Sequence, residues 1–305
     1  MGLFDGISTE LVTTALRQAE QSLVEAVLSS IGARARRMIE AELSSDPGNI
    51  GPDDISKARK SIASTAIKLA GGIPVPLRLK EPSFHVDWDE FAKKLSKKTR
   101  LVMINTPHNP TGAVWTVADM TRLSNLLDGT QTLVLSDEVY EHIIFDNIRH
   151  ESIHYYPALR DRSFILSSLG KTYHTTGWRM GYCIARQPLT REFRKIHQFQ
   201  TYCCHHPTQK AFAKIVEDRA LFEKVAREFT AKRDLFRKLI EPTRFKPLPC
   251  AGTYFQLLDY SPLSTKFDVD YADELTINHK IASIPLSVFY HDRYNPCYLR
   301  FCFAK

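Results

Sequence analysis

The glycine pair Gly71-Gly72 divides this chain into two parts of different texture, and that change limits the folds open to it. Before the pair, the sequence is helical in pattern and contains no strand signal. After it, short β-rich runs alternate with helical stretches. The runs are Val75–Leu79, Leu101–Asn105, Thr132–Leu135, Phe164–Ser167 and Tyr182–Ala185, with helices expected at Trp88–Leu95 and Val117–Leu127. This rhythm predicts an α/β domain built on a mostly parallel sheet flanked by helices. A long helical region is expected from Leu189 to Ile240, and short strands with one helix from Phe245 onward. Three units follow: an all-α segment over 1–72, a large domain over 73–240 and a small α+β domain over 241–305.

Within residues 1–72, Leu23, Val27, Ile31, Met38 and Leu43 recur at helix-like spacing. Pro52-Asp53-Asp54 opens a further helix, with proline early and acids in its first turn. Ile55, Ala58, Ile62 and Ala66 give that helix an apolar face, and the glycine pair stops it.

A composition of 43% hydrophobic and 25% charged residues excludes a disordered or collagen-like chain. Charge is uneven: residues 1–72 hold 8 basic and 9 acidic side chains, and the remainder 33 and 25. The basic residues form no long run and no aromatic-interleaved stripe, so nucleic acid is not an expected partner. An enzyme with anionic ligands accounts for the excess equally well. Six cysteines contain no C-x-x-C pair, and no signal peptide is evident, which favours a reduced, cytoplasmic setting. Cys203-Cys204-His205-His206 resembles a metal motif, but no second ligand pair at finger spacing follows. No apolar run approaches the ~18 residues a membrane span needs.

In sheets of this kind, functional groups gather where strands end. Three runs fall at such places. NTPHNPTG (Asn105–Gly112) follows a strand, and reads equally as an ordinary turn. SDEVY (Ser136–Tyr140) puts an acid at a strand's carboxyl end, where it could hold a ring nitrogen or a metal; an N-cap is the competing reading. SSLGK (Ser167–Lys171) is followed by TGWRMGY (Thr176–Tyr182). A lysine beside a strand end can be desolvated into a nucleophile, and a hydroxyl and guanidinium nearby suit a phosphate. The alternative is a surface lysine.

Taken in order, NTPHNPTG, SDEVY and SSLGKTYHTTGWRMGY, with PCAGTYF around Cys250 and the terminal YLRFCFA, resemble the class I pyridoxal-phosphate (PLP) aminotransferases of fold type I. The resemblance covers about 73–305 and is strongest to methionine aminotransferases and kynurenine/glutamine transaminases. It implies Lys171 as the imine-forming lysine and proton carrier. It implies Asp137 as partner of the pyridinium nitrogen, with Asn109 and Tyr140 on the ring's phenolic oxygen. Ser168 and Arg179 match phosphate ligands, and Arg300 matches the arginine that grips a substrate carboxylate. Transamination between a methionine-class or aromatic amino acid and a 2-oxo acid is implied, in a homodimer.

The same resemblance implies that both domains are incomplete. The family's N-terminal third, with its phosphate-cradling loop, and the last helix of the small domain are not matched. Residues 1–72 instead resemble the flagellar motor-switch protein FliG, through ELVTTAL (Glu10–Leu16), IGARARRMIE (Ile31–Glu40) and the Asp54–Leu69 helix. Two other readings follow: a catalytically incompetent fusion that cannot hold the cofactor, and a flagellar-rotor assembly module acting through 1–72.

Overall fold

In a computed structural model of the protein, the described residues are 9–17, 24–25, 27–28, 33–44, 67 and 70–304. The helix expected from Pro52, with its face of Ile55, Ala58, Ile62 and Ala66, lies outside them. The first part contributes α1 (Thr9–Leu16) and α2 (Ala33–Ser44). Val12, Leu16, Leu28 and Ile39 bury against one another, with Val24, Val27 and Leu43 packed around them. Met38 departs from the expected stripe and is exposed. Ile39 and Leu43 are four residues apart and share a helix face, whereas a spacing of five places Met38 on another.

The larger part begins with α3 (Trp88–Lys94), capped by Asp87, whose carboxylate accepts from the backbone of Asp89 and Glu90. Then come β1 (Leu101–Asn105), α4 (Val117–Leu127), β2 (Leu133–Asp137), α5 (Pro157–Arg160), β3 (Ser163–Ser168), the single turn α6 (Leu169–Thr172) and β4 (Gly181–Ala185). Thr116 and Asp119 form a reciprocal capping box that fixes the start of α4. The strands lie in the order β1-β2-β3-β4, with β1, β2 and β3 parallel and β4 antiparallel to β3. Val75–Leu79, expected as a strand, has no ladder partner among the described residues. Pro74 and Pro76 flank Val75 and lack the N–H a ladder requires.

One face of this sheet presents Val102, Ile104, Val134 and Ile165 to Met120, Leu123 and Leu127 of α4 and to Ile153 and Leu159. Each such side chain, fully buried, contributes roughly 1.5–3 kcal/mol. The other face is less covered: on β1, Leu101 is 43% and Met103 59% exposed. This mixed exposure follows from the alternation of side chains along a strand.

The expected long helical region is three helices: α7 (Gln187–Gln200), α8 (His206–Ile215) and α9 (Arg219–Ile240). The final part holds β5 (Lys246–Pro247), β6 (Phe255–Asp259), α10 (Asp268–His279), β7 (Ile284–Pro285) and β8 (Tyr298–Cys302). Its strands form an antiparallel sheet in the order β5-β6-β8-β7.

Two connections join the sheets. Phe145 N donates to Ala251 O, and Thr253 N to Ile143 O. Ala251 N and Gly252 N both donate to Gly112 O at 3.0 Å. Beneath these bonds, Tyr140, Ile143, Phe145, Phe229, Cys250, Tyr254, Phe303 and Ala304 form one apolar cluster drawn from both parts. The segment carrying Tyr254 is thereby held against the carboxyl ends of β2 and β3.

Candidate active site

The β1-β2-β3 register aligns the ends of three parallel strands. Asn105 pairs with Asp137, and Asp137 with Leu166, two residues before Ser168. Asn105 Nδ2 donates to Asp137 O, and its Oδ1 accepts from Asn109 N, which folds the NTPHNPTG loop back over the strand ends. Gly112, with φ +74°, permits the turn that closes this loop.

Lys171 follows β3 directly, inside the one-turn helix α6, with Thr172 Oγ1 donating to Ser168 O. Gly170 N donates to Met180 O and Thr175 N to Gly170 O, so the chain reverses tightly around the lysine. The amine lies 2.8 Å from Tyr254 Oη and donates to it. It also sits 5.8 Å from the Tyr140 ring centre and 5.4 Å from that of Tyr254. The two tyrosine rings meet edge to face at 5.3 Å. Lys171 therefore reaches a polar-tipped aromatic pocket rather than bulk solvent.

Asp137 ends β2 with its side chain half-buried. Burial pushes its carboxyl above the usual range; a hydrogen bond from Val139 N opposes this, and the neighbouring Glu138 charge adds to it. Among the described residues no cation bonds this carboxylate, so a cationic partner would relieve the cost of its charge. Burial raises Tyr140, with Tyr254 and Asp137 adding to the effect and Arg300 opposing it.

Arg300 occupies β8, paired with Leu257 and Ile284. Its guanidinium stacks 4.0 Å from the Phe255 ring centre and 5.3 Å from that of Phe289. Burial lowers its pKa, and the Tyr140 hydroxyl works the other way. One arm donates to Asn109 Oδ1 at 2.7 Å, while the buried Nε has no hydrogen-bond partner among the described residues. A buried donor left unpaired is costly and calls for an acceptor such as a carboxylate.

Ser168 and Arg179 lie together at another corner. Ser168 pairs with Gly181, two residues beyond Arg179. Arg179 is exposed, adopts φ +49° and donates to Thr176 O. Lys171, Tyr140, Asn109 and Arg300 are thus linked by contacts, Asp137 acts on Tyr140 through its charge, and Ser168 and Arg179 flank the lysine turn. A pyridoxal-type cofactor fits this set: an amine for its aldehyde, an uncompensated acid for its ring nitrogen, and a hydroxyl and guanidinium for its phosphate.

Two contributors escape a reading of the sequence. Tyr254 falls inside PCAGTYF, but nothing local distinguishes it from a core aromatic. Glu138, next to Asp137, is buried, with only 1% of its side chain exposed. Burial opposes its charge, yet hydrogen bonds led by His150 prevail and hold its pKa low. Oε1 accepts from Ser136 Oγ and Ile153 N, and Oε2 from His150 Nε2. Glu138, Glu141 and His150 bring ligand-capable atoms within 4.8 Å of one another. Both Glu138 oxygens are taken by donors, and Glu141 Oε1 accepts from Ser167 Oγ and Tyr182 Oη. The group braces the loops that carry Asp137 and Tyr140.

A family model for aminotransferase class I and II matches residues 61–305, and one for the FliG C-terminal domain matches residues 1–72. Methionine aminotransferase of Escherichia coli (strain K12) is 46% identical over 241 residues, covering 79% of this chain and 62% of the relative. Kynurenine–oxoglutarate transaminase 3 of Rattus norvegicus is 31% identical over 269 residues, covering 78% and 59%. Among solved structures, an Escherichia coli protein identified as a methionine aminotransferase superposes with TM-score 0.77 at 44% identity, over 80% of this chain and 65% of that one. N-succinyldiaminopimelate aminotransferase of Mycobacterium tuberculosis gives 0.74 at 29% identity, over 79% and 64%. The chain therefore spans about three-fifths of the length of the curated relatives it matches. With the family model matched over residues 61–305 and a relative 46% identical, this chain belongs to the class I and II aminotransferase family.

Proposed function

We propose that this protein transfers the amino group of a methionine-class or aromatic amino acid to a 2-oxo acid, using PLP held by Lys171. The observation that carries the reading is that the Lys171 amine and the half-buried Arg300, whose buried Nε has no partner among the described residues, both act on the Tyr140–Tyr254 pair. The relatives' names, methionine aminotransferase and kynurenine–oxoglutarate transaminase, support the substrate class.

Each side chain has work that follows from its surroundings. Arg300, stacked on Phe255 and steadied by Asn109, binds a substrate carboxylate through charge-assisted bonds. Lys171 carries a proton to and from the substrate Cα. Asp137 offers the negative charge that a protonated ring nitrogen needs. Asn109 and Tyr140 offer hydrogen bonds to the ring's phenolic oxygen, and Ser168 and Arg179 to its phosphate. When bound, the cofactor supplies the electron sink that makes the Cα–H bond breakable.

The test is addition of PLP to the purified protein, followed by borohydride reduction and peptide mass spectrometry. A pyridoxyl mass on Lys171, absent from Lys171→Ala together with amino-acid turnover, is expected. No adduct at saturating PLP would mean an incompetent fusion. Turnover retained by Lys171→Ala would refute the role of the lysine.

A cytoplasmic setting fits the six free thiols. Among the described residues no helix is long and apolar enough to cross a membrane. The exposed β1 edge favours a homodimer, measurable by light scattering. The FliG match and the separate core around Ile39 favour a flagellar-rotor contact through residues 1–72. Failure of the full chain to bind isolated rotor rings would end that idea.

A further inference from the structure

Tyr254 has no part in the roles assigned above, yet it makes the one hydrogen bond to the Lys171 amine found among the described residues. The two residues lie 83 positions apart and come from different parts of the fold. The tyrosine is 8% exposed, and its ring is gripped on three sides. Tyr140 meets it edge to face at 5.3 Å, Phe229 lies at 5.5 Å and Phe255 at 4.7 Å. Its carbonyl accepts from Phe303 N, which ties the backbone to the end of the chain. A ring locked in this way has little freedom, so its hydroxyl points at a fixed place.

Lys171 is the opposite case. Its side chain has four rotatable bonds and would lose rotamer freedom if held. A lysine that leaves and rejoins a partner must find the same position each time, and an immobile acceptor 2.8 Å away supplies it. We infer that Tyr254 is a positioning residue, the dock that receives the Lys171 amine whenever that amine is free.

The inference rests on the transamination reading for its purpose, and its sign follows from what the hydroxyl touches. The bond exists only when the amine is free, so it stabilises that state alone. With the cofactor bound, Lys171 would be held to it until an incoming amine replaced Nζ, and a proton from that amine would balance the freed lysine nitrogen. Docking on Tyr254 favours this exchange. Tyr254→Phe keeps the ring and its packing and removes only the hydroxyl.

The first measurement needs no cofactor. Cofactor-free wild type and Tyr254→Phe are treated briefly with an acetylating reagent, and labelling of Lys171 is read by peptide mass spectrometry against exposed Lys98. A hydrogen bond to a charged group corresponds to roughly tenfold or more in an equilibrium, so Lys171 should label about tenfold faster in the variant. A difference of less than about threefold overturns the docking role. The second measurement uses PLP-loaded protein and a 2-methyl amino acid, which lacks a Cα proton and stops after exchange. The concentration that frees half of Lys171 should rise about tenfold in Tyr254→Phe, while PLP affinity in the Lys171→Ala background stays unchanged. A merely structural tyrosine would weaken that affinity and leave the exchange midpoint alone, which also overturns the proposal. Should wild type take up no PLP, the transamination reading fails, and the labelling comparison still decides the dock.

Discussion

Gly112→Ala tests how the two parts of the fold are held together at the site. The glycine sits at φ +74°, where an L-residue is strained by about 1–2 kcal/mol. A methyl group there would meet Cys250 Sγ at 2.9 Å, Gly252 O at 3.0 Å and Cys250 Cα at 3.2 Å. Two of these three are backbone atoms, so relief requires movement of the 250–252 segment. That segment is bound to Gly112 O by Ala251 N and Gly252 N and leads directly into Tyr254. Overpacking of this kind costs about 1–3 kcal/mol, giving a combined loss of about 2–5 kcal/mol. Gly129 provides an internal control, with φ +66° and nothing within 4 Å of an added methyl. Gly129→Ala should cost about 1–2 kcal/mol from conformation alone, without the overpacking. The assay is urea unfolding followed by tryptophan fluorescence, with PLP uptake read in parallel. Equal losses for the two alanines would refute the claim that the 250–252 segment presses on Gly112.

Other perturbations address separate contacts. Burial lowers His108 to about 4 from its ordinary 6.5, so the folded state binds fewer protons than the unfolded one between those values. Stability is therefore fully present above pH 6.5 and is lost as pH falls towards 4, by up to about 3 kcal/mol. His108→Gln should flatten that part of the urea-midpoint profile, and an unchanged slope would count against it. Glu138→Ala strands Ser136 Oγ, Ile153 N and His150 Nε2 without their acceptor, and should cost about 3 kcal/mol or more by the same assay. A loss under about 1 kcal/mol would mean that water replaces the carboxylate. Arg300→Gln, on the transamination reading, should raise KM for the amino acid about 100-fold through loss of two charge-assisted bonds. Steady-state kinetics with an unchanged KM would remove Arg300 from carboxylate binding.

Much of this arrangement is legible along the chain, for local physical reasons. Val117–Leu127 forms as expected because its capping box and apolar spacing lie within a few residues of one another. Leu101–Asn105 does so because a short continuous apolar run ends at a turn signal. Asp137 and Lys171 stand out because an acid and a lysine at strand ends are conspicuous in sequence. Where local signals conflict, the tertiary setting decides: Val75–Leu79 has strand-like residues but prolines on either side of Val75, and has no ladder partner among the described residues. Met38 is apolar but lies off the face that packs.

What only the tertiary structure decides is how these groups meet. Sequence determined which chemical groups would stand at the ends of β1, β2 and β3, since strand, turn and residue type are encoded locally. It could not determine that Tyr254 reaches Lys171 across 83 positions, that Arg300 rests on Phe255 and Asn109, or that Glu138 turns inward to His150. Those contacts depend on how the second sheet docks on the first, through the bonds to Gly112 and the cluster around Phe145 and Phe303. Docking is set by packing between residues far apart in the chain, and no local periodicity records it.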